Sequence, residues 1–210
     1  MKIVSVILAR GGSKGIPHKN IHSVNGKPLI QYSIETSLRS NVHETWVSTN
    51  DNMIANISKN LGANILLRPD DLATDTSKSE DAILHFIDNV HSDIVVFIQP
   101  TSPLLKYEYI NQGLDMLNIY DSVFSAHKQH WIPNWSINIQ PIDWDINNRP
   151  RRQDMQDVYI ENGAFYISKT KNVYQSKLRY SGNIGIVEMK PSEGFQIDTY
   201  DDINLISKLL

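Results

Sequence analysis

Two apolar runs in this chain are close to continuous: Ile3–Leu8 reads Ile-Val-Ser-Val-Ile-Leu, and Ile94–Ile98 reads Ile-Val-Val-Phe-Ile. A strand with one wet face alternates apolar and polar residues, so a run without alternation needs cover on both faces. Two further β-branched runs, Thr45–Ser48 and Asn64–Leu67, lie between them. Helical spacing fills the gaps. Leu29, Ile30, Ile34 and Leu38 share a broad face. Ile54, Ile57 and Leu61 do the same, with Gly62 placed to end that helix. Ala82, Ile83, Phe86, Ile87 and Val90 form a third stripe, and Ile110, Leu114 and Leu117 a fourth. Strands alternating with helices predict an α/β fold with a mostly parallel sheet and helices on both faces. Right-handed crossovers then gather the loops that follow the strands along one edge, where ligands of such sheets bind.

Three segments with reactive side chains fall at that edge: Arg10–Asn20, Arg68–Ser79 and Gln99–Pro103. After Ser122–Ala126 the pattern changes. Residues from about 127 to 157 hold Trp131, Pro133, Trp135, Pro141, Trp144 and Pro150 without a sustained period, which predicts an excursion from the sheet. Val158–Ile167 and Ile184–Met189 return as strands. Thr199 is placed to cap a last helix, with Asp201 and Asp202 at its positive end. No repeat or linker divides the chain, so one domain over residues 1–210 is expected.

The first loop reads Ala9-Arg10-Gly11-Gly12-Ser13-Lys14-Gly15-Ile16-Pro17-His18-Lys19-Asn20. Its glycines let backbone N–H groups approach an anion closely. Arg10, Lys14 and Lys19 add charge within reach of a polyphosphate, and Ser13 and Asn20 can donate further. Neither the Walker spacing nor G-x-G-x-x-G is present. The formal net charge of −3 supplies no global attraction for polyanions, so the anion has to be held by this local cluster. The same balance argues against nucleic acid or an anionic membrane as a partner. With no cysteine, the chain has no disulfide, no thiolate zinc site and no cysteine nucleophile. Its apolar start is too short to span a bilayer and lacks a cleavage pattern, so a buried first strand and a cytoplasmic protein are expected.

Further blocks stand out along the chain. Gln99-Pro100-Thr101-Ser102-Pro103 offers neutral donors and acceptors suited to sugar hydroxyls, and Ser102 could cap a helix starting at Pro103. Arg149-Pro150-Arg151-Arg152-Gln153 concentrates guanidinium groups, which pair well with carboxylates. Glu161-Asn162-Gly163-Ala164-Phe165-Tyr166 and Gln196-Ile197-Asp198-Thr199 follow. Phe165 is expected in the core. The histidines show no metal spacing. The tryptophans read as core or subunit contacts rather than as a base platform.

Taken together with Trp46-Val47-Ser48-Thr49, these blocks give a chain that resembles the CMP-N-acylneuraminate synthetases, the cytidylyltransferases that activate sialic acids, over nearly its whole length. The resemblance implies a three-layer, Rossmann-like nucleotidyltransferase fold with a small dimerisation excursion, and a homodimer. It implies a reaction joining CTP to a nonulosonic acid with Mg²⁺, giving a CMP-sugar and pyrophosphate. Arg10 and Lys19 would hold CTP phosphates, helped by Gly11, Gly12, Ser13 and Lys14. Asn20, Arg68 and Ser79 would seat the cytidine. Gln99, Thr101, Ser102, Arg152, Gln153, Asn162 and Tyr166 would face the sugar, with Arg152 reaching its own or a partner's site. The family pattern Asp-x-Asp near the end of the sheet holds the metal. Here Asp198 occupies the second position and Gln196 replaces the first, leaving Asp198 as the metal ligand and Gln196 as a weak carbonyl ligand, a hydrogen-bond partner of a metal-bound water, or a group that faces the sugar. Activation of a legionaminic, pseudaminic or Kdo-type acid is the enzymatic alternative. A non-catalytic nucleotide- or sugar-binding homologue is the alternative of another class.

Overall fold

The computed structural model describes all 210 residues. Seven strands form the central sheet: β1 (Ile3–Leu8), β4 (Glu44–Thr49), β5 (Asn64–Leu67), β6 (Ile94–Ile98), β7 (Ser122–Gln129), β10 (Val158–Lys169) and β11 (Ile184–Glu188). Their order across the sheet is β11-β7-β10-β6-β1-β4-β5. Neighbours pair in parallel except β10, which runs antiparallel to both β6 and β7. Two small hairpins complete the β structure. One joins β2 (Ser23–Val24) to β3 (Lys27–Pro28), and the other joins β8 (Asn134–Trp135) to β9 (Pro141–Ile142). The first turns through Asn25 and Gly26, both at positive φ, the conformation a two-residue hairpin loop demands.

Helices cover both faces, as two-sided apolar strands require. α1 (Leu29–Arg39), α2 (Asn52–Asn60) and α4 (Tyr107–Met116) pack on one face. There Ile30, Ile34, Ile54 and Ile110 meet Ile7, Val47, Ile98, Phe165 and Ile167. α3 (Ser79–Asn89) and α5 (Thr170–Ser176) cover the other face. Ile83, Phe86 and Val173 contact Val4, Val6, Val95, Phe97 and Tyr166. Successive β6 residues therefore serve opposite cores, the period-2 rule at work in a strand with no wet side. α6 (Tyr200–Ile206) closes a third, smaller cluster in which Ile206 and Ile197 pack on Ile16, Val24 and Leu29. That cluster ties the loop after β1 to the segment before α6. No helix of the fold is long and apolar enough to cross a membrane.

Several expectations meet the structure directly. Gly62 stands at φ 93° just past α2, and Thr199 and Asp202 form a reciprocal capping box on α6. Three others are corrected. Leu38 is exposed; the inner face of α1 is completed by Ser33 and Ser37, whose small size lets the helix lie close to the sheet. Ser37 sits 2.6 Å from the Ser5 hydroxyl and 2.8 Å from that of Thr45, so the polarity is satisfied. Ser102 caps no helix, because α4 starts at Tyr107; Leu105 is drawn into the core and Leu104 against the third cluster, which bends the chain into a turn first. Finally, β7 continues through His127 to Gln129, so the excursion leaves the sheet later than its tryptophans and prolines imply.

Candidate active site

The loops after β1, β5 and β6 enclose a cavity of about 530 Å³ with the segment before α6. Arg10, Ser13, Lys14, Lys19, Asn20, Arg68, Ser79, Gln99, Thr101 and Asp198 all reach its wall. Leu8 and Phe97 supply apolar surface, and Thr74, Asp75, Ser77 and Lys78 form one rim.

Each part is held by local chemistry. Asn20 is buried and its Nδ2 donates to the Arg10 carbonyl at 2.9 Å, which fixes the curve of the first loop. The Gly11 N–H donates to Asn50 Oδ1 at 3.0 Å, so this amide is spent on the scaffold rather than turned to a ligand. A side chain on Gly11 would strike Asp51, the N-cap of α2, and one on Gly15 would come within 2.8 Å of the Asp198 carbonyl oxygen. Gly12 has open space around it. These glycines therefore differ: two are demanded by close packing and one is free.

The cations are distributed around the cavity. Lys19 Nζ donates to Asp198 Oδ1 at 2.8 Å and to the Ile197 carbonyl at 3.1 Å, bridging the first loop to the C-terminal segment. Arg10 and Lys14 meet Asp75 at 2.7 and 3.2 Å. Arg68 is 7% exposed, forms no ion pair, and has a buried Nε without a partner. Burial, then the like charge of Arg10, pushes its guanidinium down to about 10. It stays charged near neutral pH, a buried cation beside a cavity and short of an acceptor.

Neutral groups adjoin the Lys19–Asp198 pair. Gln99 and Thr101 lie at the wall. Gln196 donates from its amide to the Asn162 carbonyl, and its Oε1 accepts from Thr101 Oγ1 at 3.2 Å. Its polar atoms are thus committed within the protein. Asp198 is mostly exposed, with its second oxygen free, and no cluster of three or more acidic or histidine groups occurs.

The remaining sequence candidates stand apart from this cavity. Ser102 is buried behind it, with an unpartnered hydroxyl. Asn162 is buried, and its Oδ1 accepts from Ser125 Oγ at 2.6 Å and from the Ala164 N–H at 3.2 Å. Tyr166 stacks on Phe97 with 5.6 Å between ring centroids and donates its hydroxyl to Glu161. Burial, followed by Glu161, drives that phenol well above its ordinary range. Arg152 and Gln153 line a separate recess with His130, Met155 and Asp157. Their neighbours are spoken for: Arg151 forks onto Asp154 at 2.7 and 2.8 Å, and Arg149 lies over the Trp144 ring. Arg152 alone of the three has neither an acid nor a ring as partner.

Within the edge segment Arg68–Ser79, Asp75 and the rim from Thr74 to Lys78 were not singled out as site residues by sequence. A Thr-Asp-Thr-Ser run reads as a turn, and nothing in it marks the acid as facing one arginine and one lysine side chain.

Comparison with known proteins adds an independent line. An N-acylneuraminate cytidylyltransferase B of Danio rerio is 36% identical over 203 residues, covering 92% of this chain and 48% of that protein. An N-acylneuraminate cytidylyltransferase of Streptococcus agalactiae serotype V is 29% identical over 221 residues, covering 100% of this chain and 54% of its own length. The chain thus spans about half the length of the curated relatives it matches. Among solved structures, CMP:2-keto-3-deoxy-manno-octonic acid synthetase complexed with CTP superposes with a TM-score of 0.75 at 20% identity, covering 100% of this chain and 98% of that one. A 4-diphosphocytidyl-2C-methyl-D-erythritol synthase of Anaerococcus prevotii gives 0.73 at 14% identity, covering 99% and 97%. At those identities the likeness establishes the Rossmann-like nucleotidyltransferase fold. The cytidylyltransferase profile itself extends from residue 4 to residue 209, across every strand of the sheet and every wall of the cavity, and on that match the chain belongs to the cytidylyltransferase family.

Proposed function

We propose that this chain transfers CMP from CTP to a sialic-type nonulosonic acid and releases pyrophosphate. The observation that carries the reading is the convergence of Arg10, Lys14, Lys19 and Arg68 with Asp198 on one cavity that also presents the neutral amide of Gln99 and the hydroxyl of Thr101. A polyphosphate suits the first group and a hydroxylated acceptor the second.

In this reaction the anomeric hydroxyl of the acid releases its proton to solvent as its oxygen attacks the α-phosphorus. The bond from that phosphorus to the oxygen bridging the β-phosphate breaks, and pyrophosphate departs with the electron pair. The transition state spreads charge over phosphoryl oxygens, so the protein contributes alignment and neutralisation rather than covalent help. Arg10, Lys14 and Lys19 hold the phosphate chain. Asn20 sets the curvature that aims them. Arg68 and Ser79 receive the cytidine, and Gln99 and Thr101 orient the acceptor.

Mg²⁺, when bound, would neutralise charge on the triphosphate. It requires few protein ligands when phosphates and waters complete its octahedron. One exposed carboxylate, Asp198, fits that role, while Gln196 is tied to Asn162 and Thr101 and acts instead as a brace behind it.

Arg152 is the candidate partner for the acceptor's carboxylate. Its separation from the main cavity supports a homodimer in which the arm of one subunit reaches the site of the other. Exposed Ile132, Trp135, Ile137, Ile139, Ile142 and Ile146 on that arm accord with a face covered by a second copy.

The test is pyrophosphate release with each of the four nucleoside triphosphates against a panel of N-acetylneuraminic, legionaminic, pseudaminic and Kdo acids, with Mg²⁺. Turnover with CTP and an N-acylneuraminic acid is expected. Turnover only with another acid of the panel would reassign the acceptor. Tight CTP binding with no product for any acid would make the chain a binding homologue and end the catalytic reading.

A further inference from the structure

Asp75 divides its two carboxylate oxygens between two cations of the first loop: Oδ1 takes Arg10 at 2.7 Å and Oδ2 takes Lys14 at 3.2 Å. Both cations belong to the wall where a phosphate chain would lie. From this geometry we infer that Asp75 is a latch, a built-in anion that holds the phosphate-binding cations in the free protein and is displaced by the phosphate chain when nucleotide binds. The inference rests on the reading of the cavity as a polyphosphate site and adds a specificity-setting residue to it.

The segment that carries Asp75 is built to move as a unit. The Thr74 N–H donates to Ser77 Oγ, and the Ser77 N–H returns a bond to Thr74 Oγ1, each at 3.1 Å. Their hydroxyls lie 2.7 Å apart, and Ser77 Oγ also donates to the Asp71 carbonyl at 2.8 Å. The turn therefore keeps its shape from its own bonds. The two ion pairs of Asp75 are the polar links from the turn to the first loop. Releasing them frees the turn without unravelling it.

Electrostatics favours exchange. Hydrogen bonds from Lys14, then Arg10, hold the Asp75 carboxyl below its usual range, so it is an anion at neutral pH. The Lys14 side chain is 77% exposed and that of Asp75 44%, and exposed pairs of this kind are weak enough to be replaced. A ligand must nonetheless bring more negative charge than one carboxylate to replace it at two cations. A chain of two or three phosphates brings more charge and more oxygens than a single phosphate and can meet both cations at once, so it replaces the carboxylate more readily. The same carboxylate competes with pyrophosphate after transfer and assists its departure.

The test compares wild-type protein with Asp75→Asn by calorimetric titration without metal, using CTP, inorganic tripolyphosphate and cytidine. The variant is expected to bind CTP and tripolyphosphate roughly three- to ten-fold more tightly, from the loss of one exposed and one half-buried competing pair, and cytidine unchanged. In wild-type protein alone, tripolyphosphate should speed amide hydrogen exchange at residues 73–78 while protecting residues 10–15. That second measurement stands even if the variant does not fold. Equal or weaker binding of tripolyphosphate by Asp75→Asn, or exchange at 73–78 that tripolyphosphate leaves unmoved, overturns the latch and leaves the polyphosphate reading intact. If wild-type protein binds neither tripolyphosphate nor CTP, the cavity reading falls and the latch falls with it.

Discussion

Gln196 shows how one side chain can change the character of a site while leaving its neighbours in place. It stands where a carboxylate is expected, two residues before Asp198, and it spends its amide on the Asn162 carbonyl and its Oε1 on Thr101. An aspartate there could not donate to a carbonyl, and it is shorter. Gln196→Asp should therefore lower the Mg²⁺ concentration giving half-maximal turnover, since a second hard anion joins Asp198, and should also lower the thermal midpoint, since a buried carbonyl loses its donor. A metal titration paired with a melting curve reads both. Unchanged metal dependence would mean that position 196 does not face the metal. Arg10, Lys19 and Arg68 were legible because they lie in loops that follow strands, and the edge rule for parallel sheets places such loops together; Asp198 was legible through the family resemblance. Asp75 was not legible, because its significance lies in which distant cations it meets. Asn162 and Tyr166 show the converse: their types suit a sugar, yet in this structure Ser125 and Glu161 occupy their polar atoms.

Among the elements, the loop after β1 depends on a backbone contact. A Cβ on Gly15 would lie 2.8 Å from the Asp198 carbonyl oxygen, which is main chain and cannot swing aside. Gly15→Ala should push the first loop away from the segment before α6, lengthening the Lys19–Asp198 contact. Overpacking of this kind costs about 1–3 kcal/mol. The expected readout is a lower unfolding midpoint in urea together with weaker CTP binding; a variant with wild-type affinity would show that the two segments need not touch. The strands of the sheet were visible as apolar runs because burial on both faces leaves no polar interruption. The inner face of α1 was not, since Ser33 and Ser37 are chosen for size and for bonds to Ser5, Thr45 and the Gln99 carbonyl, features that no apolar count detects. The start of α4 was misplaced for a related reason. Leu105 is buried by the tertiary core before the helix can begin, and tertiary burial overrides a local capping signal.

Long-range pairs join these parts into one body. Glu80, in the first turn of α3, meets Arg179 at 2.6 Å, and Arg179 in turn lies over Tyr166 and Phe97. Burial opposes the charge on Glu80 more than any single partner favours it, but the hydrogen bond and charge of Arg179, the backbone N–H of Glu80 and the charge of Lys78 together outweigh it, and the carboxyl titrates below its ordinary value. A depressed carboxylate stabilises the fold above its unfolded pKa and loses that contribution as pH falls through the folded one. Wild-type protein should therefore lose more stability than Glu80→Gln as pH drops below about 4.5; parallel curves would remove the pair from the ledger. The proposed homodimer makes a different demand. If Arg152 serves the partner's site, then mixing inactive Arg152→Ala with inactive Asp198→Asn should restore up to about a quarter of wild-type turnover through dimers with one intact site. No recovery would place Arg152 in its own subunit. The reversed strand β10 has a consequence of its own. Its first residues pair with the end of β7, Val158 opposite Gln129, while Glu161 to Tyr166 on β10 spans only Ala126 to Phe124 on β7. The chain thus leaves and re-enters at one spot, with the surplus length absorbed by a bulge at Asn162–Ala164. Everything from His130 to Asp157 hangs from that spot as an exchangeable cassette. Grafting the corresponding stretch from a relative would alter what the arm meets while every strand register on the nucleotide side stays as it is.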